Sequence, residues 1–102
     1  MSTLTALAFV MITELSIDPS KIDEFLAITQ QHLPASQNYQ GNIQFNVMID
    51  TSDANKVVFY EVWESQAAQQ QYWTWRVQQG DFQTLMKYLI AEPVPKFYDL
   101  VY

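Results

Sequence analysis

Lys56-Val57-Val58-Phe59-Tyr60-Glu61-Val62-Trp63-Glu64 is the stretch on which the fold turns. Read as a strand, it sends Val57, Phe59, Glu61 and Trp63 to one side and Val58, Tyr60, Val62 and Glu64 to the other, because successive side chains alternate. Both sides are mostly apolar, which predicts cover on both faces. Helices of the same chain can supply one cover. A chain of 102 residues has little left for the second.

Downstream, Ser65 is a plausible N-cap for a helix over about 66–78, with Ala68, Tyr72, Trp75 and Gln79 on one face. Gly80-Asp81 breaks it and restarts it, with Asp81 as the next cap. Phe82, Leu85, Met86, Leu89 and Ile90 then fall at i, i+3, i+4, i+7 and i+8, an amphipathic helix closed by Pro93 and Pro95. Lys96 to Tyr102 reads as the last strand.

Upstream, Asp50 to Asn55 is a polar loop, and Ile43 to Ile49 alternates, placing Ile43, Phe45, Val47 and Ile49 on one face. Strand, short loop, strand predicts an antiparallel hairpin. Asn38 to Asn42, with Gly41, is a turn. Asp18-Pro19 starts a helix, since Asp caps free N–H groups and Pro is tolerated in the first turn. Ile22, Leu26, Thr29 and Leu33 form its stripe, with Phe25, Ile28 and His32 beside it, and Pro34 is expected to end it near Leu33. Residues 5–15 read as the first strand.

The order is βαββαβ. Right-handed crossovers place both helical segments on one face of a four-stranded antiparallel sheet, one α+β domain over residues 1–102. At 49% hydrophobic, 16% charged and 15% aromatic, the chain is globular. A net charge of -6 without a Lys/Arg cluster argues against nucleic acid and against an anionic membrane as partners. The absence of cysteine excludes disulfides, thiolate nucleophiles and Cys-ligated metals, and suits the cytoplasm. The apolar run Leu4 to Ile12 has no preceding Lys or Arg, no small-residue cleavage site after it and too little length to span a bilayer, so a buried strand is expected there.

Phe59-Tyr60-Glu61-Val62-Trp63-Glu64-Ser65, followed by Ala67-Ala68, an aromatic at Tyr72, Phe82 and Glu92-Pro93, resembles the antibiotic biosynthesis monooxygenase (ABM) domain family. The Gly41 turn fits as well, and the resemblance runs from about residue 8 to the end. It implies a homodimeric α/β barrel of ferredoxin-like subunits, whose better understood members oxygenate quinols, anthrones and related polyphenols with O₂, without flavin, haem or metal. Many members carry a His where Tyr72 stands and a Pro-His-Phe string ending at the equivalent of Phe82. Here that segment is longer and neither His is present, so His-based chemistry is not expected in it. Haem-degrading relatives use an Asn on the first strand and a His on the second helical segment. Residues 5–15 contain no Asn and residues 66–90 no His, so haem degradation is not expected either.

Cofactor-free oxygenation asks a protein for an apolar pocket, a base or donor that stabilises an anion, and exclusion of water. Arg76, the chain's one arginine, shares a helix face with Tyr72 at i, i+4. Beside Tyr72, Trp73 and Trp75 it could hold an enolate or phenolate oxygen, or lie over an aromatic ring at the surface. His32 is the one imidazole, a general base or a partner for a helix C-terminus. Arg76, Tyr72 and His32 are the candidate catalytic residues. Trp63, Phe59, Glu61 and Trp73 are the candidate substrate contacts, although Trp63 has a core reading and Glu61 a structural hydrogen-bonding one. No spacing of His, Asp and Glu suggests a metal, and no Gly-rich phosphate loop suggests a nucleotide cofactor. Two functions are carried forward: a cofactor-independent monooxygenase acting on a small aromatic substrate, and a dimeric module that binds a hydrophobic metabolite without chemistry.

Overall fold

The computed structural model describes residues 7–102. Strand β1 (Phe9–Ser16) is followed by a 3-10 turn (Pro19–Lys21), α1 (Ile22–Gln37), β2 (Asn42–Asp50), β3 (Asp53–Trp63), α2 (Gln66–Gln78), α3 (Asp81–Met86) and β4 (Val94–Asp99). All pairings are antiparallel in the order β2-β3-β1-β4, the ferredoxin-like arrangement. Thr5 and Ala6 of the expected first strand lie outside the described residues, as does the start of the run from Leu4.

The register sorts the two faces. Phe9, Met11, Thr13 and Leu15 lie opposite Trp63, Glu61, Phe59 and Val57 on the helix side. Val10 and Ile12 lie opposite Val62 and Tyr60 on the other side. Two aromatic-rich clusters fill the helix side, one of Leu15, Ile17, Phe25, Val57 and Tyr88, the other of Phe9, Phe45, Trp63 and Tyr72. Among the described residues no helix is long and apolar enough to cross a membrane.

Asp18 caps the first helical turn, its Oδ1 accepting from the Ser20 N–H at 3.0 Å. Gly41 allows the turn into β2: its φ is +88°, and a Cβ there would meet the Ala68 Cβ at 2.6 Å. The start of β2 and the first turn of α2 can approach this closely only over a glycine.

Five local expectations are corrected. Pro34 does not end α1, which continues to Gln37. The ring removes one intrahelical bond, but the helix resumes with Asn38 N–H donating to the Pro34 carbonyl at 3.0 Å. Tertiary packing offsets that loss, because the added turn buries Ser36 against α2. Ile43 leaves the buried face, since the β2–β3 register shifts between Asn42 and Gln44 and makes Ile43 the extra residue of a bulge. The polar loop is shorter than expected, β3 beginning at Asp53.

Finally, the second half of the broken helix stops at Met86 instead of running to Ile90. Beyond it the chain pairs with the end of β1: Asp18 N–H donates to the Tyr88 carbonyl at 2.8 Å and Ile90 N–H to the Ser16 carbonyl at 2.9 Å. This pairing drops Tyr88 into the core against Phe25 and leaves Ile90 64% exposed. Gly80, with φ +81°, is the N-cap of α3 instead of Asp81. The Asp81 carboxylate is engaged elsewhere, with Arg76.

Candidate functional site

Between the sheet and the helices lies a cavity of about 560 Å³, within the roughly 300–1,000 Å³ of ordinary small-molecule sites. Its walls are largely apolar: Phe9, Met11, Phe45, Val47 and Phe59 from the sheet, Ile28 and Leu33 from α1, Phe82 and Leu85 from α3. Polar groups enter it from three directions.

Helix α1 brings His32 and Ser36, one turn apart, to face Tyr72 and Arg76, one turn apart on α2. Arg76 is 7% exposed, so the surface reading of this residue is replaced by a buried one. Its Nε–H donates to the Tyr72 Oη at 2.9 Å. One terminal nitrogen donates to Asp81 Oδ2 at 2.8 Å and lies 3.4 Å from His32 Nδ1. The other donates to the His32 carbonyl at 3.0 Å and to Ser36 Oγ at 2.8 Å. The guanidinium also stacks over Trp75, 4.7 Å from the ring centroid, and lies 5.4 Å from that of Tyr72. Burial works against its charge, but Tyr72 and Asp81 outweigh that effect and hold the pKa above its ordinary value. All five N–H donors thus have protein partners.

The consequence falls on Tyr72. Its Oη accepts from Arg76 and lies 2.7 Å from Ser36 Oγ. When Ser36 donates as well, both Tyr72 lone pairs are occupied and the phenolic proton is free to point at a ligand. Burial pushes the Tyr72 pKa up, against the hydrogen bonds from Ser36 and Arg76. Tyr72 therefore remains a neutral donor.

Glu61 comes from the centre of β3 and is 4% exposed. Its partner is Trp63, whose Nε1–H donates to Glu61 Oε1 at 2.9 Å. Burial pushes the Glu61 carboxyl up to about 7, against the smaller opposing effect of the Trp63 bond. A carboxyl poised near neutrality in an apolar cavity is a competent proton acceptor. The second core cluster packs Tyr72 against the same tryptophan, with ring centroids 4.9 Å apart.

The remaining candidates separate. Phe59 lines the cavity, and Trp73, 42% exposed, reaches it against Phe82. Of the two readings of Trp63, pocket wall and core, the structure supports the core: the ring is fully buried and absent from the lining. It acts on the cavity through its N–H on Glu61. Ser36 was missed, because a helix ending at Leu33 leaves it in a loop; the signal was its place one turn after His32. Thr13, from the centre of β1, borders the cavity, and its buried hydroxyl has no hydrogen-bond partner among the described residues. Among those residues no three of His, Cys, Asp and Glu gather as a metal-ligand group.

A sequence profile of the antibiotic biosynthesis monooxygenase family matches residues 8–87. The chain belongs to this family. A solved monooxygenase from Streptomyces coelicolor, in complex with nanaomycin D, superposes with a TM-score of 0.75 at 18% identity, covering 92% of this chain and 88% of that one. A conserved protein from Methanosarcina mazei superposes with a TM-score of 0.85 at 18% identity, covering 93% and 94%. At these identities the likeness is one of fold. An uncharacterized Synechocystis protein is 32% identical over 54 residues, which is 53% of this chain but only 37% of that relative's length.

Proposed function

We propose that this ABM-family chain is a cofactor-independent monooxygenase that oxygenates a small quinol- or anthrone-like substrate with O₂. The observation that carries the reading is Glu61, a buried carboxyl lifted to about 7 on the wall of an apolar cavity. In this mechanism the Glu61 carboxylate takes the proton of an acidic C–H or phenol, and the Tyr72 O–H stabilises the oxygen on which negative charge develops. Arg76, with Ser36, orients Tyr72 and does not touch the substrate. The anion passes one electron to O₂, the radical pair collapses to a C–O bond, and loss of water leaves a carbonyl. A CH₂ group and O₂ thus give C=O and H₂O. The apolar walls exclude water from the charged intermediate.

Oxygen uptake by purified, chelator-treated protein against a panel of anthrones and quinols tests this. One O₂ consumed per quinone formed is expected, with activity falling about 10²–10³-fold in Tyr72→Phe, the typical loss on removing one oxyanion donor. Tight binding of these compounds without oxygen uptake would make the chain a metabolite-binding module. A stoichiometric flavin or haem band that survives gel filtration would overturn the reading.

The enzyme is taken to work as a homodimer. The sheet face away from the helices is apolar across Val10, Ile12, Val58, Tyr60 and Val62, and its margins expose Met48 (44%), Tyr98 (48%) and Val94 (50%). A second copy packed sheet to sheet would bury more than about 2,000 Å² in all, as obligate interfaces do. The melting temperature should then rise with protein concentration. A folded monomer at micromolar concentration in sedimentation equilibrium, with a melting temperature insensitive to dilution, would remove the dimer.

A further inference from the structure

Thr13 sits at the middle of β1, in the floor of the cavity, and is 7% exposed. Its Oγ1 has no hydrogen-bond partner among the described residues. A buried hydroxyl without a partner opposes folding, and a methyl in its place would not. The β-branched Val47, of the same shape, also lines the cavity and carries no such penalty. Thr13 borders the cavity, yet its Oγ1 has almost no exposed surface. Rotation about χ1 exchanges the hydroxyl and methyl positions, and no hydrogen bond holds the present rotamer.

The register fixes what such a hydroxyl could reach. Thr13 pairs with Phe59, so Glu61 is its diagonal neighbour on the same face, about 7–8 Å away between Cα atoms. Both residues line the cavity, so one aromatic ring laid across it can face Thr13 and Glu61 together. Phe59, opposite Thr13 and next to Glu61 on the same face of β3, offers that ring an apolar surface.

We propose that Thr13 is a specificity residue. Its hydroxyl bonds a second oxygen of the ligand, across the ring from the group that faces Glu61, and so selects para-dioxygenated rings over mono-oxygenated ones. The inference rests on the oxygenase reading for the kind of ligand, but binding tests it without turnover. Naphthalene-1,4-diol and 1-naphthol, titrated anaerobically into the protein and followed by calorimetry, are the probes.

The wild type should prefer the diol roughly tenfold, the equivalent of about 1.4 kcal/mol. Thr13→Val should bind 1-naphthol unchanged and the diol no better, while its unliganded melting temperature holds or rises. Thr13→Ser, which keeps the hydroxyl, should retain the preference. An equal preference in wild type and Thr13→Val overturns the proposal and leaves the oxygenase standing. Binding of neither probe overturns both. A Thr13-dependent preference in a protein that consumes no oxygen supports Thr13 and overturns the oxygenase alone.

Discussion

Arg76→Ala is expected to cost about 3–5 kcal/mol of folding stability, the range for removing one partner of a buried charge pair. The loss has a specific origin. Asp81 loses its cation, and Ser36, Tyr72 and the His32 carbonyl each lose a donor in one step. Arg76→Lys retains the charge but not the planar fork, and one ammonium cannot reach Tyr72, Ser36 and Asp81 together. Turnover in the lysine variant should therefore fall while most of the stability is kept. As a positioning residue, Arg76 should show this as a loss in kcat with little change in KM. Urea denaturation and steady-state oxygen uptake read the two effects. An alanine variant within about 0.5 kcal/mol of wild type, the usual size for a surface substitution, would dissolve the network described for this site.

The second large effect belongs to Trp63 and Glu61 together. Trp63→Ala should destabilise the fold by about 3–5 kcal/mol, as expected for a large ring removed from a fully buried position. Trp63→Phe keeps much of the packing but removes the N–H on Glu61, which should lift the carboxyl still higher than about 7. The wild type carries a pH signature of the same group. Because the folded-state pKa of Glu61, about 7, lies above the ordinary glutamate value of 4.5, the folded protein binds more protons than the unfolded chain between those limits. Stability contributed by Glu61 should thus fall as pH rises from about 4.5 through about 7, by on the order of 3 kcal/mol, and Glu61→Gln should abolish that slope. Denaturation midpoints measured from pH 4.5 to 8 decide it. A Glu61→Gln variant with an unchanged pH slope would mean that Glu61 is not the group that titrates.

The sequence by itself determined the element order, the single ferredoxin-like sheet and the family. Those properties rest on local signals: the alternation in β3, the Asp18 and Ser65 caps, and glycines at turns that need positive φ. It also put Tyr72 and Arg76 on one helix face, since i, i+4 spacing is a property of the helix alone. Only the tertiary structure decided where helices end and which donors are spent. Pro34 is a local stop signal that packing of Ser36 overrides, and the stripe from Phe82 to Ile90 yields to backbone pairing with the end of β1. The same holds for the site. Acceptors from α1, α2 and α3 converge around Arg76 because those helices meet over the sheet, and Glu61 is lifted towards neutrality by the depth at which β3 is buried. Neither adjacency nor depth is written in the spacing of residues along one chain. Both arise when separate elements pack, and so Ser36, far from Arg76 in sequence, became visible as its partner only in three dimensions.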